Sequence, residues 1–134
     1  MLDDQFNIRI ADFGFAASLK GLNGDGFLKS PKGSKGYRAP EIEAEKAYRG
    51  NDVDVFALGV ILFNLLSGSR PFELAIQFDT CYQKIAVNRY DIFWEYFERK
   101  RIYPEDFKDL INNMLQLEPK SRLSIAEIVA HPWM

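Results

Sequence analysis

Residues 51–68 read NDVDVFALGVILFNLLSG, and this stretch decides the fold. Asn51 and Asp52 are residue types that cap a helix N-terminus, and Gly68 supplies the left-handed residue on which helices commonly end. Between them, apolar side chains fall on nearly every face, so the reading is a helix at the centre of a bundle. Its most apolar run, VFALGVILF, is bracketed by Asp54 and Asn64. That run is well short of the roughly 20 residues that a membrane span requires.

Working outward toward the C-terminus, the texture stays helical. FDTCYQKIAVN, DIFWEYFERK and PEDFKDLINNMLQL each carry an apolar stripe and are joined by short links. In SIAEIVAHP, Ser124 and Glu127 stand in the spacing of a capping box, a device worth about 1 kcal/mol, and Pro132 ends the helix. On the N-terminal side, EIEAEKA is a short helix candidate following Pro40. Before it runs KGLNGDGFLKSPKGSKGYRAP, whose apolar residues follow no period. This is a long loop, and loops of that length in compact domains are usually functional or mobile. Earlier still, Phe6, Ile8 and Ile10 alternate with Asn7 and Arg9 as in a half-buried strand, and FAASL offers a second short strand. The predicted architecture is mainly α: a short β pair, a long loop and a helical bundle.

The bulk numbers fit one soluble globular domain. The chain has 134 residues, 47% hydrophobic and 27% charged, enough to bury a core and too apolar for disorder. A net charge of −2 gives no reason to expect nucleic-acid binding. Cys81 is the single cysteine, which excludes an internal disulfide and a cysteine metal cluster and suits a reducing compartment. The opening MLDDQFN is polar and acidic, unlike a secretory signal. The expected setting is intracellular, cytoplasmic or nuclear, without a membrane partner. Nothing in the pattern suggests zinc, a Ser/His/Asp triad or a phosphate-binding P-loop. His131 reads as structural, and Trp94, Tyr96 and Phe97 as core or interface aromatics.

Two tripeptides change the reading from architecture to chemistry. Asp12-Phe13-Gly14 precedes the long loop and Ala39-Pro40-Glu41 closes it, the order of the D-F-G and A-P-E motifs of protein kinases. GSKGYRAPE is similar to the G-T-x-x-Y-x-A-P-E form of serine/threonine kinases. DVDVFALGV resembles the D-x-W-x-x-G-V helix, and EPKSRLS the D-P-x-x-R turn. GVILFNLLSGSRPF and the closing HPWM most resemble the calmodulin-dependent and related groups. The chain thus resembles the C-terminal lobe of a eukaryotic protein kinase over its whole length. The corresponding divisions are a β pair with D-F-G at 6–19, an activation segment at 12–41 and a helical subdomain at 42–134.

The resemblance implies a role for each matched residue. Asp12 would give a carboxylate oxygen to Mg²⁺ bridging the phosphates of ATP. Phe13 would pack on the upper lobe, and Gly14 would let the backbone turn. Ser34 and Tyr37 would form the substrate platform, leaning the choice of substrate to protein Ser/Thr hydroxyls. Ser30 stands where activation loops are phosphorylated, with Lys29, Lys32 and Lys35 nearby to pair with the phosphate. Glu41 and Arg122 would make a buried ion pair tying the activation segment to the last helices. Asp54 would hold the catalytic loop from beneath. Ala39 and Pro40 complete the structural set. Implied partners are protein substrates and kinase regulators.

The departures are as informative. The sequence contains no G-x-G-x-x-G loop, no V-A-I-K lysine and no H-R-D-L-x-x-x-N loop with its catalytic Asp. Phosphoryl transfer depends on positioning and charge stabilisation by those parts. The 134 residues alone are therefore expected to bind ATP weakly and to transfer no phosphate, with a non-catalytic interaction module as the alternative. Apolar surface left bare by the missing parts should promote association. Val55 replaces the usual Trp, with Phe56 as the residue expected to refill the volume. Asn64 stands where kinases directed at basic sites often carry Glu. The stretch VNRYDIFWEYFERK follows no common pattern and reads as a subgroup feature or a partner surface.

Overall fold

The computed structural model describes residues 1–21, 23–99 and 101–134. Among the described residues six α-helices follow one another: α1 (Pro40–Glu43), α2 (Gly50–Ser67), α3 (Thr80–Ala86), α4 (Tyr90–Glu98), α5 (Glu105–Met114) and α6 (Ile125–Val129). Short 3-10 turns lie at Phe13–Phe15 and Pro119–Ser121.

Helix α2 is the axis. Val53, Phe56, Val60 and Phe63 recur at steps of three and four and are buried as one stripe. Gly59 lies where α5 crosses: a Cβ there would sit 3.0 Å from both Met114 Cβ and Leu115 Cδ2. The missing side chain sets how closely the two helices approach. Gly68, at φ 76°, ends the helix and donates its N–H to the Asn64 carbonyl. The start differs from the sequence reading. Arg49 occupies the N-cap with no side-chain bond, and Asn51 and Asp52 lie inside the first turn. There Asp52 still gains from the positive end of the helix dipole.

Nor is α2 enclosed on every side. Leu58, Ile61 and Leu65 are exposed, whereas Phe63 meets α4 and Gly59 meets α5 on the buried side. At 18 residues the helix is, by length and composition, long and apolar enough to cross a membrane, although its most apolar run is not. In this fold its buried stripe belongs to the core.

An aromatic cluster fills that core. Phe63 meets Phe93, Trp94, Phe97 and Tyr103 with ring centroids 4.8–6.3 Å apart, the range for edge and offset contacts. Within the stretch at residues 87–99, α4 buries Phe93 and Trp94, and the Trp94 indole N–H donates to Asn112 Oδ1 at 2.9 Å, while Val87 and Tyr96 stay exposed. Val55 belongs to a smaller cluster with Leu110, Met114 and Ile128, while Phe56 belongs to the main core. Phe56 therefore does not refill the volume that Val55 leaves.

The capping box forms at Ser124, whose hydroxyl accepts from the Glu127 N–H while the Glu127 carboxylate accepts from the Ser124 N–H. The helix expected over 41–47 stops at Glu43, and Glu45 at φ 54° turns the chain away. The expected β pair is not formed among the described residues. The N-terminal region has one isolated bridge, Leu2 to Ile8, and FAASL begins inside the 3-10 turn at Phe13–Phe15. Two causes are visible. The Asp3 carboxylate accepts from the N–H groups of Gln5 and Asn7, and Phe6 at φ 63° cannot continue an extended run. Phe6, Ile8 and Ile10 remain more than 80% exposed, and a lone two-stranded ribbon is marginal without a covering layer.

Candidate active-site cleft

The loop from residue 12 to residue 39 folds back over the first turns of α2 and encloses an open cleft of about 780 Å³. Asp12, Phe13, Ser34, Tyr37 and Asp54 all line it, with Lys32 and Arg38. Residues far apart in sequence are brought to one place by three local ties.

The first tie holds the loop's middle. Leu28 and Tyr48 exchange backbone hydrogen bonds at 2.8 and 2.9 Å, and the Tyr48 hydroxyl donates to the Ser30 carbonyl at 2.7 Å. Burial, then the Asp54 charge, raise the Tyr48 pKa and keep it a donor. Ser30 itself is exposed and does not line the cleft. Among the described residues, Lys29, Lys32 and Lys35 form no ion pair.

The second tie shapes the segment from Gly33 to Arg38. The Tyr37 N–H donates to the Ser34 carbonyl, and Arg38 Nε donates to the Gly33 carbonyl at 2.7 Å. Ser34 is exposed, and Tyr37 packs against the core. Gly36, buried at φ 84°, leaves room for the Arg70 guanidinium. A Cβ there would fall 1.8 Å from Arg70 Nη1, and that nitrogen also donates to the Lys35 carbonyl. Arg70 is in turn paired with Glu73. The Asp79 carboxylate steadies that loop by accepting from the N–H groups of Glu73, Leu74, Cys81 and Tyr82.

The third tie anchors the end of the loop. Ala39 is fully buried, and Pro40 occupies the first turn of α1, where its missing N–H costs nothing. Glu41 and Arg122, both buried, face each other in a bidentate pair with two contacts of 2.7 Å. Arg122 also donates to the carbonyls of Asp52, Gln116 and Leu117, and its guanidinium lies 4.9 Å from the Phe56 ring centre. Every edge of the guanidinium is thereby used, which is what makes a buried pair sustainable.

At the other end of the cleft, Asp12 is exposed in the left-handed region at φ 63°. Its Oδ1 accepts from the Gly14 N–H at 3.2 Å, and Oδ2 has no hydrogen-bond partner among the described residues. Asp54 reaches solvent, but its partly desolvating surroundings raise its pKa. Phe13 is exposed. No group of three or more metal-binding side chains occurs among the described residues. Arg38, Arg70 and Asp79 were not distinguished by sequence reasoning. Their charge was visible, but their carbonyl and N–H partners depend on loop conformation.

The comparisons with known proteins come from the whole chain. Residues 1–134 match the model of the protein kinase domain. The chain is 38% identical over 135 residues to a carbon catabolite-derepressing protein kinase of Secale cereale, covering 99% of this chain and 24% of the relative. It is 37% identical over 139 residues to a maternal embryonic leucine zipper kinase of Danio rerio, covering 100% and 18%. With a CBL-interacting protein kinase of Oryza sativa it shares 34% over 134 residues, covering 99% and 28%. It therefore spans about a quarter of the length of the relatives it matches. On the match of all its residues to that domain, the chain belongs to the protein kinase family.

Proposed function

We propose that this chain is the C-terminal-lobe portion of a serine/threonine protein kinase, which transfers phosphate from Mg-ATP to protein hydroxyls. The observation that carries this reading is the cleft itself, which Asp12, Ser34 and Asp54 all line although they lie up to 42 positions apart. Asp12 fits one ligand of a magnesium ion. A hard cation takes carboxylate oxygen, and Mg²⁺ normally keeps waters and phosphate oxygens as its remaining ligands, so a single protein carboxylate suffices. When bound, the ion would neutralise charge developing on the phosphates. Ser34 and Tyr37 form the surface on which the acceptor segment lies. Ser30, exposed at the outer side of the loop, is the candidate for phosphorylation, with Lys29, Lys32 and Lys35 available to the added charge.

Alone, the 134 residues are proposed to be inactive and to bind ATP weakly, since Asp12 is the one recognisable phosphate-handling group among them. A second reading, a non-catalytic kinase-like interaction module, is favoured by the bare apolar residues Phe6, Ile8, Ile10 and Phe13. One experiment separates the two. The full-length protein carrying this chain is incubated with Mg-ATP and a library of Ser- and Thr-containing peptides, beside Asp12→Asn. The kinase reading expects phosphate transfer that falls by about a hundredfold or more in the variant, the scale of losing a charge-stabilising group. Absence of transfer, with peptide or protein binding intact, favours the module.

A further inference from the structure

The long loop is pinched at a neck between Lys20 and Phe27. The Gly26 N–H donates to the Lys20 carbonyl at 2.9 Å, and Gly21, at φ 70°, packs so closely that a Cβ there would fall 2.5 Å from the Phe27 carbonyl oxygen. The Arg49 guanidinium covers the Phe27 ring, 4.7 Å from its centre. Beyond the neck stand two dipeptides of one design, Asn23-Gly24 and Asp25-Gly26. In both, the glycine nitrogen can close a five-membered ring on the side-chain carbonyl carbon before it, and glycine has no Cβ to obstruct the closure. The fold treats the two differently. Asp25 Oδ1 accepts from the Phe27 N–H at 2.9 Å and the Gly26 N–H is held by Lys20, so both groups that would react are tied. Asn23 is exposed, and among the described residues neither its side chain nor the Gly24 N–H makes a hydrogen bond. Nothing lies within 4 Å of the place a Gly24 Cβ would take.

We propose that Asn23 is a self-modifying site, which loses its amide and becomes a carboxylate. The Gly24 nitrogen bonds to Asn23 Cγ, the bond from Cγ to the side-chain nitrogen breaks, and the proton given up by Gly24 leaves with that nitrogen as ammonia. Water then opens the cyclic imide. Attack at the side-chain carbonyl leaves aspartate; attack at the main-chain carbonyl leaves isoaspartate, with the backbone routed through the side chain. One water enters, one ammonia leaves and no oxidation state changes, so no co-reactant besides water is needed. Every other asparagine is followed by a residue with a side chain, and Asn51, Asn64, Asn112 and Asn113 are also held in helices. The product puts a new negative charge into the loop that carries Ser30, with no phosphate donor. The inference rests on this loop's chemistry and is independent of the kinase reading.

The test ages the full-length protein in buffer at neutral and at mildly alkaline pH, then digests it with trypsin for mass spectrometry beside an unaged sample. Cleavage after Lys20 and Lys29 releases GLNGDGFLK, in which Asn23 is the single asparagine. This peptide should gain the mass difference between a hydroxyl and an amino group. It should do so at least about tenfold faster than any other asparagine-bearing peptide, a difference of about 1.4 kcal/mol in barrier. The gain should be faster at the higher pH, where more of the Gly24 nitrogen is deprotonated. Asn23→Gln should abolish it, because the longer side chain must close a larger ring, and Gly24→Ala should slow it by obstructing the attack. Electron-transfer fragmentation separates the two positions: isoaspartate should form at position 23 in the folded protein, and at Asp25 only once urea has released the neck. An unchanged peptide, conversion no faster than at the other asparagines, or isoaspartate at Asp25 ahead of position 23 in the folded protein overturns the proposal.

Discussion

Residues 1–38 and residues 39–134 are both rich in apolar side chains, yet they differ in what those side chains touch. In the first region Gly36 is the one described residue that is buried. In the second, Phe56, Val60, Phe63, Phe107, Leu110, Ile111 and Leu115 are all fully buried. The difference is not hydrophobicity but partnership. The buried stripes after Ala39 meet one another within the same chain, whereas Phe6, Ile8 and Ile10, like the Leu58, Ile61 and Leu65 face of α2, are left exposed among the described residues. Apolar pattern proposes an element; a covering surface decides whether it forms.

The sharpest way to test this comparison is to cut the ion pair that holds the start of the second region to its last helices. Glu41 and Arg122 are buried and use every polar edge of the guanidinium, so removing one partner leaves an uncompensated charge in the core. Arg122→Ala should cost about 3–5 kcal/mol in a denaturant titration. Glu41→Ala should cost a similar amount, and the double variant less than the sum of the two. Whole domains are stable by only about 5–15 kcal/mol, so either single change puts the fold of residues 39–134 at risk. A loss under about 1 kcal/mol, the value of an exposed pair, would mean that the pair is solvated and that the end of the loop is not anchored through it.

A subtler prediction concerns Tyr82, which stands on the buried side of the comparison. It is 2% exposed, edge-on to the Phe72 ring, and its hydroxyl has no hydrogen-bond partner among the described residues. Desolvation pushes its pKa well above the usual tyrosine range; Arg122 opposes this, and Glu41 and Tyr90 add to it. The sign follows from linkage. The unfolded chain releases the phenolic proton near pH 10 and the folded chain only later, so stability is intact below about pH 10 and falls above it. Tyr82→Phe removes both the titration and an unpaired buried hydroxyl. At pH 7 it should match or exceed the parent, by about 1 kcal/mol at most, and at about pH 11 its advantage should widen. Urea titrations at the two pH values check this; a loss of about 2 kcal/mol at pH 7 would show that the hydroxyl is satisfied in solution.

What was legible in the sequence divides along the same line. The six helices, the stop at Gly68 and the capping box at Ser124 are local properties, written in spacings of three and four and in single residues. The start of α2 was misread because Asn51 and Asp52 are good caps in the abstract, while the backbone enters helical geometry two to three residues earlier, after Arg49. The β pair was not legible because a strand depends on a partner elsewhere, and the Asp3 turn with Phe6 at positive φ consumes the segment locally. In the cleft, Asp12, Ser34 and Tyr37 were found by their motif letters. Arg38 stood inside the same motif, but which of its nitrogens is tied to Gly33 depends on loop conformation, and no spacing rule encodes that.

The smallest predicted effect puts one substitution in both regions. Ile111 is fully buried and Ile8 is 84% exposed. Ile111→Ala should cost about 2–5 kcal/mol through lost contacts and a residual cavity. Ile8→Ala, with neither to lose, should stay within about 0.5 kcal/mol. Both values come from the same denaturant titration, so differences in the unfolded reference largely cancel. If Ile8→Ala costs about 2 kcal/mol or more, residues 6–10 are packed in solution and the two regions are energetically one. If it costs nothing, the alternation at Phe6, Ile8 and Ile10 does not serve the stability of residues 39–134. A side-chain pattern that the fold does not use for stability points to contact with something beyond these helices, which is where the kinase and interaction-module readings would next be separated.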